Sequence, residues 1–275
     1  MEECIMDTNG NRHENDGFAW PSGFVPAVDL GATKWLQDPT RWLPWHAGSS
    51  IDRVVAPKGF THYLRVNHPA WLRNTPLSVS PDELFDLHDR PVRWSEVGQW
   101  AQIDPKHCLS FGDLIPSDRQ LGADVPFTDP PCGLTAEVIT VLTRVLGGLT
   151  STPTQIWMAF WEGLGVWNNS SWLVLPTGQS ERRVGQDRIQ SLPRWAPPGW
   201  EATGRRYWLA MGSLDTVIDL SRTPLKIEPN FWWPQDRAWF LSQDVDMDFT
   251  VIGTNSDGAN RLHRESALEI VTIEA

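Results

Sequence analysis

From Asn230 to Gly253 the chain reads NFWWPQDRAWFLSQDVDMDFTVIG, and from Trp239 onward apolar and polar positions alternate. Trp239, Leu241, Val245, Met247, Phe249 and Val251 share one parity, with Gln243 the one polar member. Ser242, Asp244, Asp246, Asp248 and Thr250 share the other. A period of two puts such sets on opposite faces of a strand. The pattern therefore predicts one long strand, apolar toward the core and carrying a row of three carboxylates on its other face.

Shorter patterns organise the rest. Within Arg53–His68 two β-type runs flank the turn signal Pro57-Lys58-Gly59. In the second run Phe60, His62, Leu64 and Val66 alternate with Thr61, Tyr63, Arg65 and Asn67. Trp94, Val97 and Trp100 recur at helical spacing and predict a short helix over 93–100. The clearest helix opens at Thr135, a good N-cap with Glu137 in the first turn. It carries an apolar stripe of Val138, Ile139, Leu142, Val145 and Leu146 and stops at Gly147-Gly148. Gln155–Glu162, Trp172–Pro176, Arg206–Met211 and Leu268–Ile273 read as strands, and Ser213–Leu220 and residues 256–266 as helices. Pro, Gly and polar residues over 177–205 predict a surface excursion.

Residues 1–17 are polar and rich in Gly, Asn and Asp, which predicts a disordered tail. Residues 18–50 are rich in Trp, Pro and Gly with poor periodicity, an irregular arm whose indoles are expected to lie against the main body. No internal repeat or clean linker divides what remains. Residues 18–275 are thus expected to form one α+β domain, with a mixed or mainly antiparallel sheet flanked by a few helices.

Composition sharpens this in three places. The chain has 17 Trp against two Tyr, so indole is expected to do much of the core packing, with a sugar or base platform as the sharper alternative. A net charge of −11 disfavours a nucleic-acid surface, which must neutralise phosphates. Cys4, Cys108 and Cys132 show no CxxC or zinc spacing and are expected as free thiols in a reducing compartment. The N-terminal MEECIMDTNGNRHEND lacks the basic and apolar regions of a secretory signal. No apolar run approaches the roughly 18 residues that span a bilayer. A cytoplasmic protein with neither membrane nor nucleic acid as a partner is the expectation.

The candidate chemistry is sparse. Asp244-x-Asp246-x-Asp248 opens like a calcium loop, but positions six and twelve hold Phe249 and Asn255 where an EF-hand needs Gly and Glu. Carboxylates two apart on one strand face can still supply oxygen ligands to Mg²⁺ or Mn²⁺. Otherwise they are a solvated face that discourages edge-to-edge pairing. Glu162 and one of these aspartates would make a carboxylate pair for glycoside hydrolysis, with Trp161 and Trp233 as stacking platforms. Glu162 reads equally as an arginine partner. Asp236-Arg237 precedes the long strand and reads as a turn brace or a source of fixed ion pairs. GxGxxG, Walker A, HExxH and GxSxG are all absent, so no cofactor is expected.

Four blocks carry a resemblance. They are Gly59-Phe60 with Tyr63, Arg65 and His68-Pro69-Ala70; Arg93-Trp94 with Glu96-Val97; Trp157-x-Ala159-x-Trp161-Glu162-Gly163-x-Gly165; and Trp232-Trp233-Pro234-x-Asp236-Arg237-Ala238-Trp239 leading to Asp244-x-Asp246. From about Val54 to the C-terminus the chain resembles a family of bacterial proteins, mainly actinomycete-type, that has no assigned activity. The resemblance implies no reaction, cofactor or catalytic residue. The chain departs from it after the acidic run, where Val251-Ile252-Gly253 stands in place of an aromatic and paired glycines.

Taken together, these patterns point to a non-catalytic binding or interaction protein whose partner is a protein or a small molecule. The alternative is a metal-assisted or acid–base hydrolase that uses the Asp244, Asp246 and Asp248 face.

Overall fold

The computed structural model describes residues 23–47, 51–73, 88–116, 125–130, 133–163, 173–174, 180–181, 191–200, 204–223, 227–244 and 247–273. An eight-stranded sheet runs through the middle of the molecule. Numbered along the chain, its strands are β1 (Val25–Pro26), β2 (His62–Asn67), β3 (Ile156–Trp161), β4 (Tyr207–Gly212), β5 (Phe231–Pro234), β6 (Phe240–Ser242), β7 (Phe249–Thr254) and β8 (Ile270–Ile273). Their spatial order is β1-β4-β3-β5-β6-β7-β2-β8. Every neighbouring pair is antiparallel, so the mixed alternative falls away and the α+β expectation holds.

The helices are α1 (Trp94–Ala101), α2 (Ala136–Gly147), α3 (Leu214–Ser221) and α4 (Ser256–His263). The last three open on the side-chain caps that the sequence offers. Thr135, Ser213 and Asn255 accept from the amides of Val138, Thr216 and Gly258. These three turn an apolar stripe onto one face of the sheet. Ile139, Leu142 and Leu146 of α2, Val217 and Leu220 of α3 and Leu262 of α4 pack with Leu64, Met158, Trp208, Trp232 and Ile252. Fully burying a side chain such as Leu142 contributes about 1.5–3 kcal/mol.

The sheet's second face is covered as well. Leu36 and Trp42 from the N-terminal arm, Trp94 and Val97 from α1, Phe111 and Leu114 from the segment after it, and Trp195 and Trp200 pack on Tyr207, Phe231, Trp233, Phe240 and Val251. Many indoles do fill the core: Trp42, Trp94, Trp195, Trp200, Trp208, Trp232, Trp233 and Trp239 are buried. The arm is less irregular than its composition suggests. It holds two 3-10 turns, Gly31–Leu36 and Pro39–Arg41, and then pairs Trp42–Ala47 with Ile51–Pro57. Nor is 177–205 wholly a surface excursion, because Trp195 and Trp200 are core residues and Trp195 bridges Tyr207. The expected tail, residues 1–17, lies outside the described residues. Among the described residues no helix is long and apolar enough to cross a membrane.

The long acidic strand is corrected. The chain reverses between Ser242 and Phe249, and β6 and β7 pair with each other. Ser242 faces Val251, Leu241 faces Ile252 and Phe240 faces Gly253, each pair an odd number of positions apart. Residues of equal parity on either side of the reversal therefore point to opposite faces. Leu241 belongs to the helix-side core, whereas Phe249 and Val251 belong to the other.

Candidate functional site

The reversal scatters the sequence-predicted carboxylates. Asp244 follows β6, is buried, and accepts from Arg205 Nη1 at 3.1 Å. The Arg205 guanidinium also lies over the Trp161 ring, 4.7 Å from its centroid. Glu162, the next residue, takes Arg194 Nε at 3.0 Å and Arg206 Nε at 2.6 Å. Trp161, Glu162 and Asp244 are thus gathered around three arginines, and both carboxylates serve as arginine partners. Asp246 lies outside the described residues.

Asp248 sits apart from that group. Its carboxylate accepts from the Phe111 amide at 2.5 Å. Burial pushes its pKa up from the ordinary aspartate value, while the Phe111 N–H and the nearby Arg65 charge work against the shift. Arg65, itself buried, lies between the Trp94 and Phe249 rings and donates to the carbonyls of Cys108 and Pro105. Desolvation lowers its pKa. The arginine, with these bonds, ties the segment after α1 to the sheet.

Asp236 and Arg237 occupy the β5–β6 turn at the far end of β6. Asp236 accepts from Thr150 Oγ1 and from the Ser151 amide and hydroxyl, and caps the Ala238 amide. Partial burial raises its pKa, but these hydrogen bonds outweigh that and hold it below the ordinary value. Arg237 takes a left-handed backbone (φ 58°) and lays its guanidinium over Trp35. Trp233 is a core residue stacked on Phe240. The seven sequence-predicted residues that are described therefore do not converge on one site. Among the described residues no group of three or more His, Cys, Asp or Glu side chains is placed to hold a metal ion.

A different place has the shape of a site. A cavity of about 470 Å³ lies where the end of β2 meets the first turns of α1 and α2. Apolar walls come from Val66, Trp71, Val92, Val138, Val141 and Leu268, and the polar residues Asn67, Arg93, Glu96, Thr135, Glu137 and Glu269 border it. Several of these polar groups serve the fold. Glu269 accepts from the Trp94 and Ser95 amides at 2.6 and 2.7 Å and so caps α1. Glu96 accepts from the Arg93 amide and from Arg90, which hold it below its ordinary pKa, the Arg93 amide most strongly. The Arg93 guanidinium donates to the Ser266 carbonyl, and Thr135 caps α2.

Asn67 differs from them. It is 5% exposed, and neither Nδ2 nor Oδ1 has a hydrogen-bond partner. Its backbone is fixed, since Asn67 N donates to Glu269 O at 2.9 Å and the residue pairs with Phe249 of β7. By alternation Asn67 shares a strand face with Tyr63 and Arg65, and both faces of β2 are buried after its first residue. The signal that would have flagged it is its place in a sheet covered on both sides, and that needs the topology.

Comparison of the chain with protein-family models, with curated proteins and with solved structures finds no match.

Proposed function

We propose that this chain is a non-catalytic binding protein and that the cavity beside Asn67 is its small-molecule site. One observation carries the reading: a cavity whose walls are mainly apolar, from Val66, Trp71, Val92, Val138, Val141 and Leu268, with a few polar residues at the first turns of α1 and α2. An apolar concavity with few polar groups is the usual form of a small-molecule site. The volume, about 470 Å³, falls within the range of ligand pockets, roughly 300–1,000 Å³. The carboxylates a hydrolase would use support the same reading from the other side, because Asp244, Asp248 and Glu162 are engaged by Arg205, Phe111 and the Arg194–Arg206 pair. The acidic net charge of −11 and the free, buried Cys108 favour a cytoplasmic setting.

The test is a small-molecule fragment screen by thermal unfolding on the wild type and on Val141→Trp, which fills the cavity. A ligand at 100 times its dissociation constant stabilises by about 2.7 kcal/mol. That is roughly 5–10 °C in midpoint. Fragments that raise the wild-type midpoint and leave Val141→Trp unmoved support the site. A screen in which no fragment separates the two proteins rejects it.

A further inference from the structure

We infer that two copies of this chain pair through β8, edge to edge about a two-fold axis. β8 closes one side of the sheet, and among the described residues no strand lies beyond it. The ladder shows which way its backbone groups point. Asn67 N donates to Glu269 O at 2.9 Å, which makes these two a hydrogen-bonded pair. Such pairs recur at every second residue, so Val271 and Ile273 turn their N–H and C=O groups inward, to Arg65 and Tyr63. Ile270 and Thr272 turn theirs outward, past the edge of the sheet. The bond from His68 N to Asp248 O gives the same phase from the other side of β2, since it assigns Val66 and Leu64 to β7.

The two ends of the sheet are not protected alike. At the far end β1 has only two residues, and one is Pro26. A short strand with a proline blunts an edge. β8 reads Ile-Val-Thr-Ile, with no proline and no charge, and its register on β2 is unbroken. Thr272 is exposed and its neighbours are half-buried. Outward donors and acceptors on such a strand are a template for another strand.

Charge complementarity selects a second copy as the occupant. The chain carries a net −11, so two copies repel unless they meet on a neutral patch. Between β8 and α1 lies a groove of about 380 Å³, lined in part by Gln102, Ile103, Asp104, Lys106 and Val271. Asp104 and Lys106 cancel, and the Glu269 carboxylate is turned to the Trp94 and Ser95 amides. The patch is also its own complement. With Val271 on the axis, Ile270 of one copy exchanges both backbone bonds with Thr272 of the other. The two Val271 side chains then meet directly. They do so on the α1 side, because Ile270 packs with the helix-side core and Ile273, of Val271's parity, with the other.

The test is sedimentation of the full chain from the low-micromolar to the millimolar range, with amide hydrogen exchange followed by NMR. A reversible monomer–dimer equilibrium is expected, because so short a contact is weak. On dimerisation the Ile270 and Thr272 amides are expected to slow by about tenfold or more, while the Val271 amide, paired with Arg65 in the monomer, is unchanged. Thr272→Pro removes an outward N–H and no ladder bond within the chain, so it is expected to stay monomeric with the wild-type circular dichroism. Thr272→Ala keeps the N–H and the dimer. Should the proline variant fail to fold, Val271→Lys, which sets like charges face to face on the axis, reads the same claim. A wild type that stays monomeric throughout overturns the pairing. So does a dimer whose Ile270 and Thr272 amides exchange as fast as in the monomer, or one that Thr272→Pro leaves intact. Growth beyond the dimer overturns the two-fold axis. Slow exchange of those amides in the dilute monomer would mean that another segment of the chain covers the edge, and slowing only in cell lysate that another protein does; either outcome overturns self-pairing.

Discussion

Arg205 Nη1 lies 3.1 Å from Asp244 Oδ1, and both side chains are largely withdrawn from water, at 18% and 5% exposure. The same guanidinium covers the Trp161 ring. A buried carboxylate that loses its cationic partner is strongly destabilising, by about 3–5 kcal/mol when both groups are fully enclosed. Arg205 keeps some contact with solvent, so Arg205→Met is expected to cost about 2–3 kcal/mol in denaturant unfolding. Arg205→Lys keeps the charge but loses the planar stack over Trp161, and about 1 kcal/mol is expected. A methionine variant as stable as the wild type would show that the pair does not hold Asp244.

Asp248 makes stability depend on pH. Burial raises its pKa in the folded chain above the unfolded value. The native state therefore holds this proton more tightly than the unfolded state does. The resulting stabilisation is full below the ordinary aspartate pKa and is lost as pH rises through the raised folded value. Asp248→Asn does not titrate and keeps an oxygen for the Phe111 amide. Unfolding free energies of wild type and variant, compared from the acid side of the aspartate range up to neutrality, are expected to show the wild-type advantage falling with pH and then levelling. A difference that grows with pH would contradict the assignment.

These two aspartates also show what the sequence made legible. The expected helix from Thr135 formed because a cap, a 3.6-residue stripe and a glycine stop all act locally. The strands β3 and β4 were likewise visible as short apolar runs. Asp244 and Asp248 misled because alternation carries no mark of where a chain reverses, and an odd pairing offset swaps the faces without disturbing the pattern. Their partners, Arg205 and the Phe111 amide, come from distant segments. The cavity was invisible for the same reason. Asn67, Arg93, Thr135 and Glu269 meet only once β8 has paired with β2 and α1 has been capped by Glu269.

Gly253 stands inside β7, paired with Phe240 on one side and Tyr63 on the other. A methyl there would collide with Cδ2 of Phe60 and lie 2.9 Å from its Cγ. The ring has little room to yield, because Phe60 packs edge-on against Tyr63 and its amide donates to the Tyr63 hydroxyl. Gly253→Ala is expected to cost about 1–3 kcal/mol through overpacking. The cause is checked by a double-mutant cycle with Phe60→Ala. In that background the alanine should cost much less; an unchanged penalty would place the strain elsewhere.

Asn67→Leu should raise stability. The side chains are similar in size, and the wild-type amide is buried without a hydrogen-bond partner. Replacing it with an apolar group removes a desolvation cost of about 1–3 kcal/mol. An increase of about 1–2 kcal/mol in unfolding free energy is expected for the ligand-free protein, a rise of a few degrees in Tm. Asn67→Asp should act in the opposite direction, since it places a carboxylate at a buried position. If the leucine variant proves less stable than the wild type, the amide is already satisfied in the folded chain and holds β2 in place.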